Sequence, residues 1–104
     1  MQPAPVLSFR VFIRVIDDEI KNRLTRNPAP FFDRDLSGST ATWHTREAKV
    51  SITALNDTEA EIVISTQQGD EAVNRFIERM DIDHANGLAR DLAVLFSGPG
   101  DDAD

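Results

Sequence analysis

The chain of 104 residues contains no cysteine. Disulfide bonds, metal sites built from thiolates and a cysteine nucleophile are therefore excluded. No apolar run approaches the roughly 20 residues that a membrane-spanning helix needs. The N-terminal stretch MQPAPVLSFR lacks the basic region and the long apolar region of a signal peptide. These absences predict a cytoplasmic protein with no membrane partner.

Motifs with a defined chemistry are also missing. The chain contains no HExxH metalloprotease motif, no GxSxG nucleophile elbow and no phosphate-binding GxxxxGK[ST] loop. Its two histidines, His44 and His84, are forty positions apart, and neither has a second imidazole at a ligand spacing. We therefore predict no catalytic residue, no bound metal and no cofactor, and a small enzyme is the least favoured class of function.

One stretch, RMDIDHANGLAR from Arg79 to Arg90, comes closest to a metal site. Counted from Asp81, however, it has the wrong residue types at three ligand or turn positions of a calcium loop. We interpret the stretch as the corner between two helices. Asp83 is then the N-cap of the second helix. Gly87, which is unfavourable inside a helix, would allow close packing of the neighbouring helix.

Hydrophobic periodicity predicts the elements. Residues Leu7 to Val15 alternate between apolar and mostly polar positions, which is typical of a half-buried strand, and a short helix over about 17–26 follows. Three more alternating segments predict strands at about 39–45, 48–55 and 59–66. Apolar residues three and four positions apart then predict helices over about 71–80 and 84–96. The predicted element order is β-α-β-β-β-α-α.

This order predicts an α+β fold, with a single four-stranded, mostly antiparallel sheet and helices packed on one face. Residues 1–97 would form one globular domain and residues 98–104 a disordered acidic tail. A three-residue loop over 56–58 places the apolar faces in register. It sets Val50 opposite Ile64, and Trp43 then lies opposite Val50.

Charge is distributed unevenly between the two halves of the chain. Residues 1–52 have a net charge of +2 and residues 53–104 a net charge of −9, which favours a partner with a basic patch. Candidate contact residues are Phe31 and Phe32 on a proline-containing loop, although one of them could instead plug the core, and Glu71 and Glu78 on the acidic helices. The predicted function is a non-catalytic protein-binding module, such as a small acidic inhibitor, immunity protein, antitoxin or complex subunit. The oligomeric state stays open.

The alternative function is nucleic-acid binding on the open face of the sheet. In the predicted arrangement this face carries an aromatic side chain among basic ones, a combination that pairs with phosphates and stacks on bases. Its candidate residues are Arg10, Phe12, Arg14, His44, Arg46 and Lys49.

Overall fold

The computed structural model describes residues 5–24, 33–36, 38–45, 48–66 and 72–97. The predicted α+β class is confirmed, but the described sheet has five strands rather than four. All neighbouring strands are antiparallel, in the order β1-β2-β3-β4-β5. The elements are α1 (Phe9–Leu24), β1 (Asp33–Asp35), β2 (Thr40–His44), β3 (Ala48–Ala54), β4 (Glu59–Thr66), β5 (Ala72–Arg79) and α2 (Ile82–Ser97).

The predicted first strand is wrong, because its residues from Phe9 onward belong to helix α1. The helix predicted over about 17–26 is confirmed for its described residues, but it is the second half of a longer helix that begins at Phe9. The apolar residues of this segment satisfy two periods at once. Burial decides between them: Phe12, predicted to point away from the core, is fully buried, whereas Val11 is 45% exposed. The helix starts after Ser8, whose hydroxyl accepts a hydrogen bond from the Val11 amide at 3.2 Å. Its buried stripe is Phe12, Ile13, Ile16 and Ile20.

The helix predicted over 71–80 is also wrong, since Ala72–Arg79 forms strand β5. Its residues pair with β4 along the whole strand, with Phe76 opposite Ile62. Val73, Phe76 and Ile77 are branched or aromatic and therefore suit a strand. Pairing with the backbone of β4 overrides the helical spacing of the apolar side chains.

The three central strands confirm the predicted register. Trp43 lies opposite Val50, and Val50 opposite Ile64. Trp43 and Val50 are fully buried and Ile64 is partly buried. The loop between β3 and β4 has the predicted three residues: the Leu55 amide donates to the Glu59 carbonyl at 2.9 Å, which leaves 56–58 as the turn.

Both helices cover the same face of the sheet. The core joins α1, α2 and alternate positions of the strands, as predicted from the one-sided apolar faces. The residues that α2 contributes are Ala85, Leu88, Ala89, Leu92 and Phe96. The opposite face of the sheet is left without a described covering element.

The stretch RMDIDHANGLAR is a junction between a strand and a helix, not between two helices. The N-cap of α2 is Asp81 rather than Asp83, because the Asp81 carboxylate accepts the His84 amide hydrogen bond at 2.9 Å. The expected packing role of Gly87 is also wrong. A Cβ placed on it would meet no atom within 4 Å.

Candidate functional site

The open face of the sheet divides into a polar part and a partly apolar part. On β2 and β3 it carries hydroxyl side chains, and the Oγ1 atoms of Thr40 and Thr53 are 3.2 Å apart. On β4 and β5 the same face carries Val63, Val73 and Ile77. Apolar side chains on an uncovered face are candidates for contact with another molecule.

These three aliphatic residues form one group, which we call the β4–β5 patch. Val63 lies opposite Arg75, so its diagonal neighbours on β5 are Val73 and Ile77. Val73 is 58% exposed and Ile77 is 55% exposed. The two β5 side chains thus present most of their apolar surface to solvent.

Charged side chains surround the patch. Arg75 Nε lies 3.8 Å from Glu61 Oε2 across the strand pair, and Glu61 is directly opposite Ile77. At the end of β5, Glu59 lies opposite Arg79. A small apolar centre within a charged rim is the composition of a protein-binding surface.

The outer edge of β5 adds backbone groups to this surface. Among the described residues no strand pairs with the edge that faces away from β4. The nearest backbone pairing lies just beyond the strand, where the Leu7 amide donates to the Met80 carbonyl at 2.7 Å and Val6 forms a bridge with Asp81. The part of this edge from Val73 to Glu78 offers amide and carbonyl groups to an incoming strand.

The residues predicted to bind a protein partner do not come together in the described part of the chain. Phe31, Phe32 and Glu71 lie outside the described residues. Glu78 is on β5, on the face that the helices cover, and its Oε1 lies 3.3 Å from His84 Nε2. The predicted placement of Glu78 on an acidic helix is therefore wrong.

The residues predicted for nucleic-acid binding are divided between two sides of the sheet. His44 and Lys49 are exposed and lie opposite each other on β2 and β3, on the open face as predicted. Arg10, Phe12 and Arg14 are on α1, so their predicted placement on the sheet is wrong. Arg46 lies outside the described residues. The basic and aromatic surface that supported this function is not assembled by the described strands.

A buried carboxylate connects α1 to the first two strands. Asp17 on α1 is only 4% exposed. Its Oδ1 accepts hydrogen bonds from Trp43 Nε1 at 3.1 Å and from Arg34 Nη1 at 3.2 Å, and Lys21 Nζ lies 3.7 Å from its Oδ2. The charge of this carboxylate is thus compensated within the fold.

A second charged cluster lies where β5 meets α2. His84 Nδ1 is 2.7 Å from Asp81 Oδ1, and Arg79 Nε is 3.3 Å from Asp81 Oδ2. The hydrogen bond to Asp81 raises the pKa of His84. Burial favours a lower pKa, but the negative charges of Asp81, Glu78 and Asp83 raise it further. Burial favours a higher pKa for Asp81, but the hydrogen bonds and charges of His84 and the charge of Arg79 outweigh it and lower that pKa.

Stability should depend on pH through this cluster. Because the pKa of His84 is raised by folding, its contribution is complete below about pH 6.5 and is lost as the pH rises through the folded value. We expect His84→Gln to lower the free energy of unfolding more at about pH 5.5 than at about pH 8.5. Urea denaturation at both pH values measures this difference. His44→Gln is the matched control, and an equal pH dependence for both variants would contradict the assignment.

The described residues contain no group of three histidine, cysteine, aspartate or glutamate side chains that could hold a metal ion. The described residues form two helices, α1 and α2, and neither is long and apolar enough to cross a membrane.

Comparison with known protein families, with curated proteins and with solved structures finds no match to this chain.

Sequence reasoning missed the β4–β5 patch because it assigned β5 to a helix. In a helix, Val73 and Ile77 belong to the buried stripe, whereas in a strand they share the open face with Arg75 and Arg79. The signal that favours the strand is the concentration of Val73, Phe76 and Ile77.

Proposed function

We propose that this chain is a non-catalytic protein-binding module whose partner docks on the β4–β5 patch and the outer edge of β5. The observation that carries the proposal is the exposure of Val73 and Ile77, both more than half accessible, on a strand with no described outer neighbour. Long, apolar, unpaired edges promote association between chains, and proteins that stay monomeric usually blunt them.

Two kinds of contact would act together in this docking. Backbone groups of β5 would hydrogen-bond to an extended segment of the partner, as in other cases of strand addition to a sheet edge. The aliphatic side chains of the β4–β5 patch would pack against the partner's apolar side chains. Affinity would come from both, and specificity from the side chains around the patch, such as Arg75 and Glu61.

The partner's charge follows from the chain as a whole. A net charge of −7 attracts a basic protein over long range and accelerates its association. The inhibitor, immunity protein, antitoxin and complex-subunit roles all fit this description. Nucleic-acid binding on the sheet face has less support, because Arg10, Phe12 and Arg14 lie on α1 rather than beside His44 and Lys49.

Charged substitutions in the patch test the proposal. We expect Val73→Lys combined with Ile77→Lys to weaken partner binding roughly tenfold to hundredfold, because two apolar contacts would be replaced by charges that must be desolvated. The partner is first captured from a lysate of the source cells by the unaltered chain. Its dissociation constant for each purified variant is then measured by calorimetry.

Val94→Lys is the matched control, since Val94 is 71% exposed and lies on α2, away from the open face. The affinity of the Val94→Lys variant for the partner should stay within about twofold of the affinity of the unaltered chain. Loss of binding in the control alone, or no loss in the β5 double variant, would place the docking surface elsewhere.

A further inference from the structure

A partly open cavity of about 550 Å³ lies beside α1, on the opposite side of the sheet from the β4–β5 patch, and is bounded by Leu36 and Gly38. This volume is within the range of sites that bind small molecules. The cavity is independent of the proposed protein-binding surface. Its lining residues are Phe9, Arg10, Ile13, Arg14, Asp17, Asp18, Leu36 and Gly38.

Part of the lining is apolar. Phe9 and Ile13 are on the same side of α1, and Leu36, which is 37% exposed, follows β1. An apolar surface of this kind suits a hydrocarbon or aromatic group of a ligand, because burying such a group removes it from water.

The charged part of the lining contains two arginines, Arg10 and Arg14, one helical turn apart. Neither forms an ion pair or a side-chain hydrogen bond with any residue in the described ranges. Some of the other described arginines do so. Arg23 Nε lies 3.0 Å from Glu19 Oε2, and Arg34 Nη1 lies 3.2 Å from Asp17 Oδ2. The two guanidinium groups at the cavity are thus available to a ligand.

The local charge pattern is unfavourable for the helix alone. Arg10 lies in the first turn of α1, a turn that contains no acidic residue. Positive charge at this end opposes the helix dipole, whereas an anion there is stabilised by it. Of the two acids at the cavity, Asp17 is already paired with Arg34 and Lys21, so Asp18 remains as the carboxylate that opposes an anion.

From this arrangement we infer that the cavity binds a small organic anion that has an apolar group. Arg10 and Arg14 would bind its carboxylate, sulfonate or phosphate oxygens, since a guanidinium offers paired donors that match such groups. Phe9 and Leu36 would contact its apolar group. The ligand is a freely dissolved molecule of this class.

The test compares two ligands that differ in charge, 3-phenylpropanoate and its neutral amide, 3-phenylpropanamide. Titration of the full chain followed by NMR gives both dissociation constants. We expect the anion to bind with a constant of about 0.1–1 mM, which is typical of a ligand of this size. The amide should bind about tenfold more weakly, because it lacks the charge-assisted hydrogen bonds. Equal binding of the two, or no binding of the anion, overturns the inference.

Variants identify the residues. Arg10→Gln with Arg14→Gln should weaken binding of the anion about tenfold or more, whereas Asp18→Asn should strengthen it by a few fold. Arg90→Gln, an exposed arginine on α2, is the matched control and should leave the constant unchanged. If the glutamine pair does not fold, Arg10→Lys with Arg14→Lys retains the positive charge. Asp18→Asn still tests whether removing a negative charge strengthens binding of the anion. Unchanged binding in a folded Arg10→Gln, Arg14→Gln variant, no change in Asp18→Asn, or binding of sulfate as tight as that of 3-phenylpropanoate overturns the inference.

Discussion

Trp43→Ala is expected to lower the free energy of unfolding by about 3–5 kcal/mol, the range for removing a large aromatic side chain from a core. Trp43 is among the largest fully buried side chains, and it lies opposite Val50 in the middle of the core. Since a domain of this size is usually stable by about 5–15 kcal/mol, a loss of this size brings the chain close to unfolding. Urea denaturation followed by far-UV circular dichroism measures it, because the variant has no tryptophan left to report by fluorescence.

Trp43→Phe separates packing from hydrogen bonding. Phenylalanine retains much of the apolar volume but cannot donate the hydrogen bond that Trp43 Nε1 makes to Asp17. We expect an intermediate loss of about 1–3 kcal/mol. Val94→Ala, on the exposed side of α2, should change the free energy of unfolding by less than about 0.5 kcal/mol. A loss below about 1 kcal/mol in Trp43→Ala would contradict the central position of this residue.

The three central strands could be predicted because their evidence is local. Trp43, Val50 and Ile64 lie on alternating apolar faces, and a slip by one residue would turn every face over. The three-residue turn at 56–58 then fixes the pairing of β3 with β4. The register of these three strands can therefore be predicted from residues that are close together in the sequence.

Helix α1 and strand β5 could not be predicted in the same way. The segment around Phe12 satisfies the period of a strand and of a helix, and only packing against α2 and the sheet decides between them. The segment around Phe76 also fits both, and the decision comes from the backbone of β4, which gains a hydrogen-bonding partner along its length. Both decisions depend on contacts between residues far apart in the sequence.

The wrong assignments of α1 and β5 also affect the prediction of the candidate surfaces. The β4–β5 patch exists only when β5 is a strand, and the cavity with Arg10 and Arg14 exists only when α1 is a helix. Arg10 and Arg14 nevertheless share an orientation in either assignment, because residues i and i+4 lie on one side of a helix and also on one face of a strand.

Asp17→Ala is expected to lower the free energy of unfolding by about 2–4 kcal/mol, although aspartate is a residue type that usually lies on the protein surface. Removing the carboxylate leaves the buried Trp43 indole N–H without its acceptor and takes the partner from Arg34. Breaking a fully buried ion pair costs about 3–5 kcal/mol. A smaller value is expected here because the side chains of Arg34 and Lys21 are 36% and 49% exposed and can turn to water.

Asp17→Asn should be milder, at about 1 kcal/mol, because the amide oxygen can still accept the indole hydrogen bond. A double-mutant cycle of Asp17→Asn with Trp43→Phe, and a second cycle of Asp17→Ala with Trp43→Phe, separate the charge from the hydrogen bond. We expect a coupling energy of about 1–2 kcal/mol in the alanine cycle and a smaller one in the asparagine cycle, since only alanine removes the acceptor. Asp18→Ala, next in the chain and exposed, is the control and should stay within about 0.5 kcal/mol. Equal losses for Asp17→Ala and Asp18→Ala would mean that the buried carboxylate does not join α1 to the sheet.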